Sequence, residues 1–192
     1  MLSIKQLNLQ EIQDVYNKYL VNDFPKEEQK PLSLIQDLIH KNAYVCYGLY
    51  EDETLVSYAF FGKDTSSSSI LLDFLAVVDE YRSFGYGSKF LSLIKKELKG
   101  YDGIIFEVES GESAADEEAK AICERRIEFY HRNGVRSTTN YCFFFGVDMV
   151  IMFMPLMNDL EDDKIGETLD QIYHVMYTKD VYEKNIKLRK EK

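Results

Sequence analysis

An apolar run, Ile70–Val78, leads into a turn carrying Arg82, Gly85 and Gly87; beyond it Phe90, Leu91, Leu93, Ile94 and Leu98 recur at helical spacing. The run reads as a buried strand and the periodic stretch as a helix, so the chain passes from strand through glycines to a helix N-terminus. The first N–H groups of a helix have no intrahelical acceptor and sit at the positive end of its dipole. A phosphate or pyrophosphate is stabilised there. Glycine adds positive φ and lets backbone approach the anion with no Cβ between them. The stretch therefore predicts an anion-holding turn around which the rest of the chain brings a second substrate.

Rival glycine motifs can be separated on the letters. A P-loop needs Gly-Lys-Ser/Thr, but Gly87-Ser88-Lys89 has the last two in the wrong order. A dinucleotide-binding turn needs a third small residue where Phe90 stands, and Glu107, at the spacing of a ribose-binding acid, does not repair that mismatch. What fits is Arg/Gln-x-x-Gly-x-Gly/Ala, here Arg82-Ser-Phe-Gly85-Tyr-Gly87, preceded by the strand Phe74-Leu-Ala-Val77.

Along the chain, Ser3–Leu9 predicts a strand, and Ile12, Val15, Tyr16, Tyr19 and Leu20 one face of a helix. Pro31 suits the first turn of a second helix with Leu34, Ile35, Leu38 and Ile39 inward. Between them, Phe24–Lys30 is a substrate-facing loop. Ala43–Tyr50 and Leu55–Lys63 form a hairpin across Glu51–Thr54, and the run Asp64–Ser69 is a solvated turn leading into Ile70–Val78. Strand, helix and the strand Gly103–Val108 imply a parallel pair with a right-handed crossover. Asp116 or a neighbour opens a helix that stops at Asn133-Gly134; Ser137–Phe145 and Met149–Met157 form another hairpin. After the acidic linker Asn158–Lys164, Leu169, Ile172, Tyr173, Met176 and Tyr177 mark one more helix, followed by a frayed Lys184–Lys192. The result is an α/β (α+β) fold: a mixed, mostly antiparallel sheet of about seven strands flanked by helices, with a helical extension. Residues 1–157 read as one domain and 158–192 as a tail too short for its own core, docked on that domain or on a partner subunit.

With 192 residues the chain can bury a real core. Its formal net charge of −10 excludes a general nucleic-acid binder, which needs a basic face, and suits a cationic acceptor. The N-terminus lacks a signal-peptide layout and no apolar run reaches membrane-spanning length, which places the protein in the cytoplasm without a membrane partner. Cys46, Cys123 and Cys142 form no CxxC and read as buried thiols of a reducing compartment. No His/Cys/Asp cluster has metal spacing, so no metal is expected.

Together, the turn at Arg82–Gly87 and the segment Arg126-Ile-Glu-Phe-Tyr-His-Arg-Asn-Gly134 resemble the GNAT superfamily, the acetyl-CoA-dependent N-acetyltransferases. The resemblance runs from about Ile4 to Pro155. One departure is Val78-Asp79, where relatives often carry Asp-Pro. The resemblance implies acetyl-CoA as co-substrate. Its pyrophosphate would lie on the backbone of Arg82, Ser83, Phe84, Gly85, Tyr86, Gly87 and Ser88, and its pantetheine arm would pair with Leu75, Ala76 and Val77. It also implies a thioester reaching the space opened by splayed fourth and fifth strands, and Tyr130 as the acid for the leaving thiolate, unless Tyr130 is only a core aromatic. An attacking amine must first lose a proton. Acids within apolar strands are unusual, so Asp73, Glu107 and Glu109 are the candidate bases, with Glu107 and Glu109, two residues apart and on one side of a strand, favoured. His131 reads as a helix-end cap. The expected activity is acetyl transfer to a primary amine of a small, cationic acceptor by direct attack in a ternary complex. A non-catalytic acyl-CoA sensor with the same fold is the alternative, and the strands after Gly134 and the tail offer surfaces for a homodimer.

Overall fold

The computed structural model describes residues 1–26 and 28–190, with the backbone alone at Ser113. Glu27, inside the predicted substrate-facing loop, and Glu191 and Lys192 lie outside the described residues. The chain divides into two compact units, Met1–Thr65 with Leu72–Glu97, and Ser66–Leu71 with Leu98–Lys192.

In the first unit, β1 (Leu2–Gln6) pairs antiparallel with β2 (Tyr44–Glu51), and β2 with β3 (Thr54–Gly62); β4 (Ser69–Val77) follows β3 in the strand order. Helix α1 (Leu9–Val15) begins because Asn8 accepts from the Glu11 N–H at 3.0 Å while Glu11 accepts from the Asn8 N–H at 2.9 Å. The expected uninterrupted helix widens at Tyr16–Leu20 into a π-turn before the short α2 (Val21–Asp23). Tyr16 in that turn donates its hydroxyl to the Lys30 carbonyl at 2.9 Å, a tie no periodicity announces. Pro31 caps α3 (Leu32–His40), which packs on β2 through Ile35 and Leu38, both buried. Helix α4 (Tyr86–Glu97) packs on β1 and β3 through Phe90, Leu91 and Ile94.

In the second unit the strand order is β5-β7-β6-β8. Strand β7 (Val147–Pro155) pairs antiparallel with β5 (Gly103–Glu109) and with β6 (Arg136–Phe144). Pro155 ends β7, where its missing N–H does least harm. Helix α5 (Glu117–Arg132) is capped by Asp116, which accepts from the Ala119 N–H at 2.8 Å, and stops where Gly134 takes φ +84°.

All seven predicted strands are present. An eighth comes from the tail, which continues through α6 (Asp162–Met176) and α7 (Lys179–Asn185). Residues expected to fray instead form β8 (Ile186–Lys190), antiparallel to β6 with Asn140 opposite Lys190. The alternation Ile-Lys-Leu-Arg-Lys turns Ile186 and Leu188 to one side of the strand, which is what a half-buried edge requires. The serine turn also differs from expectation: Ser69 is already strand, and the hydroxyls of Ser67 and Ser69 are buried without a hydrogen-bond partner among the described residues.

Candidate active site

Between β4 and α4 the backbone makes a shaped turn. A 3-10 turn over Asp79–Tyr81 closes with the Arg82 N–H donating to the Asp79 carbonyl at 3.2 Å. Ser83 and Gly85 then take φ of +68° and +78°. Left-handed residues of this kind in a turn draw successive N–H groups into an anion-accepting concavity. The first N–H to reach back is that of Lys89, to the Gly85 carbonyl at 3.1 Å. From Ser83 to Ser88 the N–H groups have no acceptor among the described residues. A Cβ built on Gly85 would have nothing within 4 Å, so the glycine serves the backbone angle and faces open space. Gly87 lies in the first turn of α4. Phe84 is 67% exposed and Lys89 places its ammonium 4.4 Å from the Tyr86 ring centroid. These residues fit a pyrophosphate: donors are present and unspent. Arg82 is the exception, because its N–H is already used and its guanidinium faces protein, with Nη2 2.8 Å from Asp23 and Nη1 2.8 Å from Asp79.

The strand before the turn supplies Leu75, Ala76 and Val77, all partly exposed. Two of their carbonyls are engaged: Ser57 donates its hydroxyl to Ala76 at 2.7 Å, and Arg82 its Nε to Val77 at 3.3 Å. One step earlier, Asp73 is 6% exposed at its side chain and takes the Lys30 ammonium at 2.7 Å and the Tyr44 phenol. Lys30 is itself buried and lies 5.3 Å from the Phe74 ring centroid. Asp73, weighed as a base, is thus engaged by an ammonium and a phenol. Lys30 carried no sequence signal beyond its place in the Phe24–Lys30 loop.

In the second unit, Glu107 and Glu109 are both partly exposed on β5. The buried Tyr173 of α6 donates its phenol to Glu107 and lies 3.6 Å from the Cys142 thiol. Glu109 lies beside Cys123 of α5, whose thiol is pushed up by burial and by that carboxylate. Tyr130 on α5 packs its ring 4.9 Å from that of Phe106 and 5.3 Å from that of Phe129. Its hydroxyl has no hydrogen-bond partner among the described residues, and burial pushes it up to about 12, against a weaker opposite pull from Arg126. A phenol of that kind is protonated at neutral pH and free to donate. His131, near the end of α5, is exposed and lies 3.0 Å from the Ser137 hydroxyl of β6. Among the described residues no group of three or more His, Cys, Asp or Glu is arranged to hold a metal, and no helix is long and apolar enough to cross a membrane.

Comparison with known proteins now bears on this geometry. No curated protein matches the chain. Among solved structures, a GNAT-family protein from Bacteroides thetaiotaomicron is similar over 90% of this chain and 96% of its own, at 20% identity and a TM-score of 0.70. The ribosomal-protein-S18-alanine N-acetyltransferase from Escherichia coli is similar over 84% of this chain and 98% of its own, at 18% identity and a TM-score of 0.59. A Bacillus subtilis acetyltransferase in complex with CoA is similar over 81% and 99%, at 18% identity and a TM-score of 0.55. At such identities the likeness is one of fold. The family model of the GNAT acetyltransferases matches residues 9–134, a span that contains the glycine turn and ends on the Gly134 that stops α5. The chain belongs to the GNAT acetyltransferase family.

Proposed function

We propose that this protein transfers the acetyl group of acetyl-CoA to a primary amine of a small, cationic acceptor by direct attack in a ternary complex. The observation that carries the reading is the run of unspent N–H groups from Ser83 to Ser88, formed around left-handed Ser83 and Gly85, inside a family match that also takes in α5. Acetyl-CoA supplies an activated thioester, and the chain's own residues do the rest. The turn binds the pyrophosphate through backbone donors, and the backbone of Leu75, Ala76 and Val77 lines up the pantetheine arm. A carboxylate of β5 takes the proton of the acceptor ammonium, so that a neutral amine attacks. We assign that role to Glu109 ahead of Glu107, because Glu107 already holds the Tyr173 phenol. Tyr130, protonated and without an acceptor among the described residues, gives its proton to the departing sulfur. The acidic total of the chain, −10, supports a cationic acceptor.

The test is calorimetry with acetyl-CoA followed by thiol release over a panel of polyamines, aminoglycoside-like amines, amino-acid derivatives and peptide N-termini. Binding and steady release with a small cationic amine is expected; absence of binding at millimolar acetyl-CoA overturns the reading, and binding without release replaces it with a sensor. Gly85→Val, forced into a left-handed angle, abolishes CoA binding while the circular dichroism spectrum is kept. Tyr130→Phe lowers kcat by about a hundredfold, the usual size of an acid–base contribution, with little change in KM for acetyl-CoA. Because the Tyr130 phenol loses its proton only near 12, the wild-type rate shows no alkaline limb from this group in the neutral range. Glu109→Gln lowers kcat more than Glu107→Gln does; the reverse order exchanges the two assignments.

A further inference from the structure

The side chain of Arg82 opens the glycine motif but does not face an anion site. Its guanidinium, a fork of fixed donors, spans three acceptors: Asp23 Oδ1 at 2.8 Å, Asp79 Oδ1 at 2.8 Å and the Val77 carbonyl at 3.3 Å. Asp79 is 81% exposed, so its share in fixing the fork is small. Asp23 differs, being 9% exposed at its side chain and accepting the Tyr58 phenol on its second oxygen at 2.7 Å. Tyr58 is fully buried in the middle of β3, and burial together with Asp23 raises its phenol far above the usual range, which keeps it a donor. A chain of contacts therefore runs from the core, Tyr58 to Asp23 to Arg82, and ends on the first residue of the turn and on the last carbonyl of β4.

We infer that Asp23 is a positioning residue of the cofactor turn: through Arg82 it sets the place of the Ser83–Ser88 N–H groups and of the Val77 carbonyl. This rests on the acetyl-CoA reading of that turn. An anion cradle made of backbone has no side chains of its own to hold its shape, and small displacements of positioned donors cost affinity. Ser83 and Gly85, both left-handed, follow Arg82 directly, so an untethered Arg82 frees the part of the turn whose angles are least favoured. Asp23 also ends α2 and leads into the Phe24–Lys30 segment, so the contact that seats the turn reaches the start of that loop.

The test is calorimetry with CoA on the wild-type protein, Asp23→Asn, Arg82→Gln and the double variant, with acetyl-transfer kinetics alongside. Asp23→Asn keeps the shape of the side chain and removes its charge. We expect each single change to raise the Kd for CoA about tenfold, the size of one lost charge-assisted hydrogen bond. The double variant is expected to be no worse than either single one, because both break the same link. KM for acetyl-CoA follows the Kd, while kcat at saturating acetyl-CoA stays within about twofold. Asp23→Glu restores part of the affinity. A purely structural Asp23 would lower the melting temperature and leave the Kd and the coupling unmoved, and that result overturns the inference while the acetyl-CoA reading stands. Additive effects of Asp23→Asn and Arg82→Gln overturn it equally. Failure of the wild-type protein to bind CoA sinks both. Should Asp23→Asn not fold, Arg82→Gln, altered on the half-exposed partner, carries the affinity test, with hydrogen exchange at residues 83–88 as readout: faster exchange supports the link and unchanged exchange refutes it.

Discussion

Both units set carboxylates under tyrosine phenols, buried at Asp73 and Asp23 in the first and partly exposed at Glu107 in the second. In the first, Asp73 takes the Tyr44 phenol and the Lys30 ammonium, and Asp23 takes the Tyr58 phenol and the Arg82 guanidinium. In the second, Glu107 takes the Tyr173 phenol, which also lies 3.6 Å from the Cys142 thiol. Around the proposed cofactor turn and the strand before it, buried charge meets opposite charge. Around Tyr173, midway along α6, the tail meets β5 and β6 through a phenol and a stacked ring, Tyr173 lying 5.8 Å from Phe144 and nearly parallel to it. The lesson is one of cost. A buried ion pair adds little net stability, but removing one partner strands the other. Removing a neutral donor costs only the hydrogen bond and its desolvation.

The largest effect should follow from breaking the buried pair on one side. Lys30→Met leaves Asp73 without its ammonium and is expected to lower stability by about 3–5 kcal/mol, read as a shift of the urea midpoint. Adding Asp73→Asn should recover much of that, since the stranded charge is then gone. Tyr173→Phe, in the other unit, keeps the ring stack and loses only the donor, for about 1–3 kcal/mol. If Tyr173→Phe costs as much as Lys30→Met, the contrast between the units is broken.

Sequence carried the parts of the fold that are local. The glycine turn, the Asp116 cap, the Asn133-Gly134 stop and the hairpin at Gly146 were legible because a few neighbouring residues determine a backbone angle or a cap. The partners of buried charge were not. Asp23 ends a three-residue helix and Lys30 ends a loop; neither has a periodicity, and each acquires meaning only when β3 and β4 bring Tyr58 and Asp73 to it. Strand β8 hid behind its lysines and an arginine, although its Ile186–Leu188 alternation was there to be read. Of the candidate site, the left-handed glycine turn could be placed by letters alone, yet the inward turn of the Arg82 side chain could not.

A smaller effect tests the statement that the thiols belong to the core. Cys46, Cys123 and Cys142 are each no more than 2% exposed, and burial raises all three thiols, that of Cys142 to about 12. Reactivity needs the thiolate and access. The native protein should therefore consume almost no thiol reagent at pH 8, and the same protein in guanidinium three equivalents. Rapid labelling of Cys142 alone would show that the tail, which supplies Tyr173, opens independently of the rest of its unit.

The smallest effect reverses the pattern of the comparison, because the N-terminus of α6 is where the tail does use charge. Arg136 of β6 contacts Asp162 at 2.8 Å and Asp159 at 2.9 Å, and Asp162 also accepts from the Thr139 N–H at 2.7 Å. One turn into α6, a Cβ built on Gly166 would come 2.8 Å from Asn140 of β6, so the helix lies close on that strand. Burial works against the Asp162 charge, but the hydrogen bonds from Arg136 and Thr139 win and hold its carboxyl below the ordinary 3.8. A carboxyl with a lowered folded value contributes stability that is present above its unfolded value and lost as pH falls through the folded one. Asp162 is about a quarter exposed, so water screens the pair and about 1 kcal/mol is expected from Asp162→Asn at pH 7. Urea titrations of the two proteins should differ by that amount at pH 7 and converge toward pH 3, because the wild type loses there what the variant never had. A gap that stays constant across that range would mean that Asp162 holds the tail by shape, like Tyr173, and that charge contributes nothing to its docking.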